Sequence, residues 1–228
     1  MDRRVLGAWA GMIGPALFVA TFTLLGWIRP DYNAYAMLVS ELALGPWGWI
    51  QCVNFIVCGV MCVMFARGIA VEFQEGRASV AGPLLLTIIG YGLLLSGFFL
   101  MDPVNTPAAQ RTLHGKLHDF FGGVPFSLSP VSCFVFMRRF HADPKWRSLQ
   151  WWTLAVGFTP AAALVVLLFI RMQMATPNPF AQWNGLIQRM VLIPYLAWQF
   201  YFAAGLHTRN PSSARVSADD RTLASSAI

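Results

Sequence analysis

The chain has 228 residues, 57% of them hydrophobic and 11% charged, with a formal net charge of +6. A soluble domain needs about 25% charged residues to keep its surface wet. At less than half that share, with a mean hydropathy of +0.56, the chain is excluded from the ordinary soluble classes and its surface belongs in lipid.

Crossing a hydrocarbon core takes about 20 apolar residues as a helix. Six runs qualify, so the predicted fold is all-α, a polytopic bundle of six transmembrane helices. The first run, 5–28, follows Met1-Asp2-Arg3-Arg4. It is longer than the roughly 7–15 residues of a signal-peptide core, and no small-x-small site closes it. It is therefore expected to remain as a membrane helix. Gly7 and Gly11 form GxxxG within it, a close-packing signal. The remaining runs are 49–69, 80–101, 117–137, 149–170 and 187–206. Cys52, Cys58, Cys62 and Cys133 all lie inside them and lack the CxxC spacing of metal or redox sites, so they read as small buried hydrophobes. Pro125 and Pro130 fall in the fourth run, Pro160 in the fifth and Pro194 in the sixth. Proline removes a backbone donor, so the fourth span is predicted to be the irregular one. These runs make one domain, 1–207. The remainder, 208–228, is rich in Ser and Ala without an apolar period, and is predicted to be a disordered cytoplasmic tail.

Charge sets the orientation. Arg3, Arg4, Arg67, Arg77, Arg138, Arg139, Lys145, Arg147, Arg209, Arg215 and Arg221 fall on one side of a six-span chain, and Arg29, Arg111, Lys116, Arg171 and Arg189 on the other. Cytoplasmic loops carry the Lys and Arg excess, so both termini are expected inside. The basic balance is then topology, and no nucleic-acid partner is expected. The expected location is a cell membrane crossed several times, the bacterial inner membrane.

The outer loops are the richer ones. Residues 29–48 hold Asp31, Tyr32, Tyr35, Ser40, Glu41, Pro46 and Trp47; residues 102–116 open on Asp102 and lead into His114 and His118; residues 171–185 hold Pro177, Asn178, Pro179 and Trp183, followed by Gln188 and Arg189. Tyr and Trp there are expected interface anchors. Ionisable groups near hydrocarbon usually pair, face a cavity or serve a function. A spacing of four puts His114 and His118 on one helix face, the geometry with which two imidazoles hold a metal. Gly115 stands where a zincin needs Glu. Asp102 or Glu41 would complete a site for a divalent metal such as zinc, while Asp119 points about 100° away from His118. The alternative is a buried hydrogen-bonded network that joins the second, third and fourth helices. Arg189 can pair with Glu41 or Asp102, hold a lipid phosphate by its fork, or snorkel to the interface. Ser40, Trp47 and Trp183 complete the candidate substrate-binding residues.

The pattern Tyr32-x-x-Tyr35, Ser40-Glu41-Leu42, Phe99-x-x-Asp102 and His114-Gly-x-x-His118 resembles the bacterial DUF998 family of six-span membrane proteins. That resemblance implies the fold and draws attention to these residues; it implies no reaction. More remotely, Ser, Asp and His residues at helix ends resemble the ceramidase-like membrane hydrolases. Those have seven spans and a further histidine-bearing helix, which this chain lacks.

Three functional readings follow. In the first, the chain is an enzyme acting on a lipid or lipophilic substrate at the outer face. Glu41, Asp102, His114 and His118 would be catalytic and Arg189 would hold the substrate. A metal on His114, His118 and Asp102 would activate water, or a buried carboxylic acid would protonate an isoprenoid-like molecule. In the second, the protein binds lipid without catalysis and the polar cluster is structural. In the third, it is a proton-coupled carrier. A two-histidine haem is set aside, because His114 and His118 share one helix.

Overall fold

In a computed structural model, which describes residues 2–76, 78–172 and 180–209, the chain forms six long helices joined by loops and short 3₁₀ turns. They are α1 (Arg3–Ile28), α2 (Gly48–Glu72), α3 (Ala78–Phe98), α4 (Leu113–Ala142), α5 (Gln150–Met172) and α6 (Asn184–Thr208), and there is no strand among the described residues. The expected tail lies outside the described residues from 210 onward, as do Pro177, Asn178 and Pro179.

Each helix packs on its sequence neighbours, and α6 closes the ring against α1. An even number of helices places the start of α1 and the end of α6 at one end of the bundle, here the termini end. The long connections 29–47 and 99–112 gather at the other, here the loop end. Among the described residues five helices are long and apolar enough to cross a membrane. The sixth, α6, is 25 residues long but carries Gln188, Arg189, Gln199 and His207. Gln188 and Gln199 are buried, so much of that polarity faces the bundle. The outward faces carry Leu17, Leu24, Val53, Leu84, Val165 and Leu168, all exposed, which is the surface that lipid covers.

The core is aromatic and unevenly divided. Toward the termini end Phe65, Phe73, Phe136, Phe140, Trp146, Trp198 and Phe202 pack together, each almost fully buried. A smaller cluster of Phe18, Phe22, Leu25, Val39, Leu42 and Phe55 supports the loop end. Glycine lets the helices close on one another. A Cβ on Gly7 would lie 2.6 Å from the Cα of Gly68, and one on Gly11 would meet the Phe65 ring and the Ala203 side chain. The GxxxG of the first span therefore packs α1 against both α2 and α6. At the turn between α2 and α3, Gly76 has φ 83, a left-handed value that glycine adopts without steric cost.

Two expectations are corrected. The fourth span is a continuous helix of 30 residues through Pro125 and Pro130. Pro130 cannot donate to the Phe126 carbonyl, and the Ser129 hydroxyl donates to that oxygen instead, at 3.4 Å; such local repair is how membrane helices tolerate proline. The span boundaries also move. Helix α3 ends at Phe98, four residues before Asp102. Helix α4 runs from Leu113 to Ala142, which takes in the His pair and Arg138–Arg139. Its last turn carries Arg139 and His141, cations suited to a helix C-terminus, and Arg139 pairs with Asp143.

Candidate functional site

The loop end is built from two groups of residues. The first is the connection 29–47, which folds back over α1, α2 and α6. Arg29 follows α1 directly. Its Nε and Nη2 donate to the two Asp31 carboxylate oxygens at 3.0 and 3.1 Å, and its Nη1 donates to the Glu41 carbonyl at 2.7 Å. The Arg29 hydrogen bond holds the Asp31 carboxyl below the usual range, and the same bond raises the guanidinium value.

The 3₁₀ turn Val39–Leu44 comes next, with Ser40 buried inside it. The Glu41 carboxylate accepts from the Leu38 N–H at 2.7 Å, so it closes the turn that contains it. Helix α6 pins this turn from the side. Gln188 Oε1 accepts the Val39 N–H at 2.7 Å, and the Leu186 N–H donates to the Tyr35 carbonyl at 2.9 Å.

Arg189 is the centre of this group. Its Nη1 donates to the carbonyls of Ala34, Met37 and Gly185 at 2.7, 3.2 and 3.0 Å, and its Nη2 donates to the Tyr32 hydroxyl at 2.6 Å. The guanidinium also lies 5.7 Å from the ring centroids of Phe22 and Tyr32, within cation–π range. The Tyr32 hydroxyl in turn faces the carbonyls of Met37 and Leu38. Burial pushes the Tyr32 phenol up, opposed by the Arg189 hydrogen bond. Arg189 therefore uses its fork on loop carbonyls and a phenol, not on Asp102.

The second group joins the end of α3 to the start of α4. The Asp102 carboxylate accepts from the Thr112 N–H at 2.9 Å and from its hydroxyl at 2.8 Å, while the Thr112 hydroxyl accepts the Gly115 N–H at 3.0 Å. This is a helix N-cap extended by a carboxylate. A Cβ at Gly115 would run into that carboxylate. Asp119 pairs with Arg111 at 3.0 Å.

His118 is buried, and its Nδ1 sits 3.0 Å from the Ser96 carbonyl and 2.7 Å from the Phe99 carbonyl. Carbonyl oxygens only accept, so Nδ1 carries the proton. His118 thereby satisfies carbonyls that the end of α3 leaves open. His114 lies on the surface, its ring tilted against Phe99 with centroids 5.7 Å apart.

The bonds thus separate residues that the sequence grouped together. Glu41 and Arg189 belong to the first group; Asp102, His114 and His118 belong to the second. Among the described residues no group of three or more His, Cys, Asp or Glu is arranged to hold a metal ion. The expected ligand set His114, His118 and Asp102 does not form one. The physical reason is that Asp102 is turned to the Thr112 cap, while His118 is turned to the end of α3.

Trp183 meets Tyr35 edge-on at 6.4 Å. Trp47 is exposed and lines a pocket of about 160 Å³ with Leu25, Ile28, Arg29, Asp31, Leu42 and Pro46. Arg29 and Thr112 are not among the residues that the sequence singles out. Both had a signal: an Arg-Pro-Asp step directly after a span, and a Thr placed three residues before Gly115 at a helix start.

The four cysteines are free, and three of them, Cys58, Cys62 and Cys133, are buried, as small hydrophobes should be.

No curated protein and no solved structure matches the chain. The sequence pattern of one family, described as "Protein of unknown function (DUF998)", matches residues 12–205. That is most of the six-helix bundle, so the chain belongs to the DUF998 family of membrane proteins.

Proposed function

We propose that this protein binds a lipid or lipophilic molecule at its loop end without transforming it, in the pocket beside Trp47, within a cell membrane and with both termini inside. The observation that carries this reading is the use already made of the polar residues. Arg189, Gln188, Glu41, Asp102 and the Nδ1 of His118 all hold backbone groups. The pocket beside them is mostly apolar. The pocket is walled by Leu25, Ile28, Leu42, Pro46 and Trp47, with the Arg29–Asp31 pair at one side. Its volume of about 160 Å³ is below the roughly 300–1,000 Å³ of a site that encloses a whole ligand. It admits one ring, a headgroup or a chain end, and the rest of the molecule stays in the bilayer beside the exposed Trp27 and Ile28.

The test is photo-crosslinking with a diazirine-bearing phosphatidylcholine in vesicles, followed by peptide mapping. Labelling should concentrate on residues 25–47 and fall in Trp47→Ala. Labelling spread evenly over the lipid-facing helices would overturn the reading.

A second reading, an enzyme acting on a lipophilic substrate, is favoured by one observation. In the neutral tautomer with its proton on Nδ1, the His118 ring carries its lone pair on Nε2. A Cβ at Gly122 would lie 3.5 Å from Ser96 Oγ and 4.0 Å from His118 Nε2. A hydroxyl and an imidazole base therefore face one glycine, and an imidazole so placed can take a proton in general-base catalysis.

A further inference from the structure

We propose that the groove between α1 and α2 at the termini end binds the phosphate of an anionic phospholipid. The groove measures about 680 Å³ and is lined by Arg3 and Leu6 of α1, by Met64, Arg67 and Val71 of α2, and by Gln74. On α2 the spacing 64, 67, 71 is one helix face, and on α1 Arg3 and Leu6 are i, i+3 neighbours. The backbones meet beside the groove at Gly7 and Gly68.

Charge identifies the occupant. Arg3 and Arg67 are exposed, and among the described residues neither has a hydrogen-bond or ion-pair partner. Two acidic groups on these helices, Glu72 and Asp2, are already engaged. The Glu72 carboxylate takes Arg4 at 2.8 Å on one oxygen and Lys145 at 2.6 Å on the other. The Asp2 carboxylate accepts the Arg4 N–H at the start of α1. Two guanidinium groups therefore remain open above a wall of Leu6, Met64 and Val71. A phosphodiester fits between two forks, and an acyl chain follows the apolar wall into the bilayer. Basic pockets between membrane helices on the cytoplasmic side suit anionic headgroups in this way. This site lies at the opposite end of the bundle from the pocket beside Trp47, and does not depend on it.

The experiment is native mass spectrometry of the full chain in detergent with phosphatidylglycerol and phosphatidylcholine added in equal amounts. Wild type should retain one phosphatidylglycerol in preference to phosphatidylcholine, and excess inorganic phosphate should not displace it. The Arg3→Gln, Arg67→Gln double variant should lose the preference by about tenfold or more. Arg4, Arg138, Arg139, Lys145 and Arg147 stay in place to hold the orientation. The Arg138→Gln, Arg147→Gln double variant removes two exposed charges from the same end and should keep the preference. Met64→Trp fills the groove with both arginines intact and should lose it, which keeps the test open if the first double variant does not fold. Equal loss in both double variants, or no preference in wild type, would overturn the site. Displacement by inorganic phosphate would likewise overturn the commitment to a lipid.

Discussion

The two ends of the bundle secure their polar groups in opposite ways. At the termini end charge meets charge. Arg4 and Lys145 share the Glu72 carboxylate, Arg139 pairs with Asp143, and an aromatic core lies beneath. At the loop end charge mostly meets backbone. Arg189 collects three carbonyls, Glu41 and Asp102 accept main-chain N–H groups, and His118 donates to the end of α3. The reason is geometric. The termini-end network links α1, α2 and a short connection, and ion pairs suffice for that. The loop end contains long stretches with no regular hydrogen-bond ladder, and their backbone groups must still be satisfied near hydrocarbon. Ionisable residues converging on one membrane face are thus explained first by the backbone they hold.

The largest expected effect lies at the termini end. Glu72→Ala leaves the buried Arg4 guanidinium without its carboxylate, and breaking a buried pair costs about 3–5 kcal/mol. Unfolding in mixed micelles should show that loss, with Glu72→Asp in between. A near-neutral Glu72→Ala would mean that the two ends do not differ as argued. Arg189→Ala comes next, at about 2–3 kcal/mol, because a charged donor to several acceptors disappears. Its signature differs in kind. Residues 29–47 should become protease-sensitive while the helical content stays, and Arg189→Lys should recover part of the protection. Stability lost without loop exposure would break the comparison from the other side.

The six long helices were legible because each sits on a long apolar run, five of them apolar enough to cross a membrane among the described residues, and the Gly7/Gly11 packing face because only glycine lets helices close so far. The start of α4 was less legible. The spacing of His114 and His118 suggests a helix, but the apolar run begins only at Leu117, and it is the Asp102–Thr112 cap that marks the start of α4 at Leu113. Pro130 misled because the Ser129 repair depends on where one hydroxyl points. The site residues were legible as unusual but not as to partner. A sequence suggests side chains for Arg189 and His118 to meet, and a backbone carbonyl has no residue type to betray it. The exchange of partners between the two groups, Arg189 to Ala34 and Met37, Asp102 to Thr112, could not be read without the fold.

His118 sharpens the contrast within the loop end. Removing its ring in His118→Ala should cost about 1–3 kcal/mol, the penalty of leaving buried acceptors open. His118→Asn, whose amide can also donate, should restore part of it. If stability is restored while a lipid-transforming activity stays lost, Nε2 is doing chemistry and the second reading gains. If stability and lipid labelling move together, the ring is a helix cap.

The smallest effect is the one with a distinctive pH dependence. The Tyr32 hydroxyl accepts from Arg189 at 2.6 Å and faces the carbonyls of Met37 and Leu38. Tyr32→Phe removes these bonds and should cost about 1 kcal/mol. Burial raises the phenol above its ordinary value of 10.0, so the folded loop holds this proton more tightly than the unfolded chain does. The associated stability is complete below the ordinary value and drains away as the pH rises from there toward the raised one. A phenolate also cannot donate to the Met37 or Leu38 carbonyl. Proteolysis of residues 29–47 should therefore quicken in wild type once the pH passes about 10. In Tyr32→Phe that step should vanish, on a slightly higher baseline. A step of the same size in both proteins would assign the alkaline loosening to another group and remove Tyr32 from the clamp.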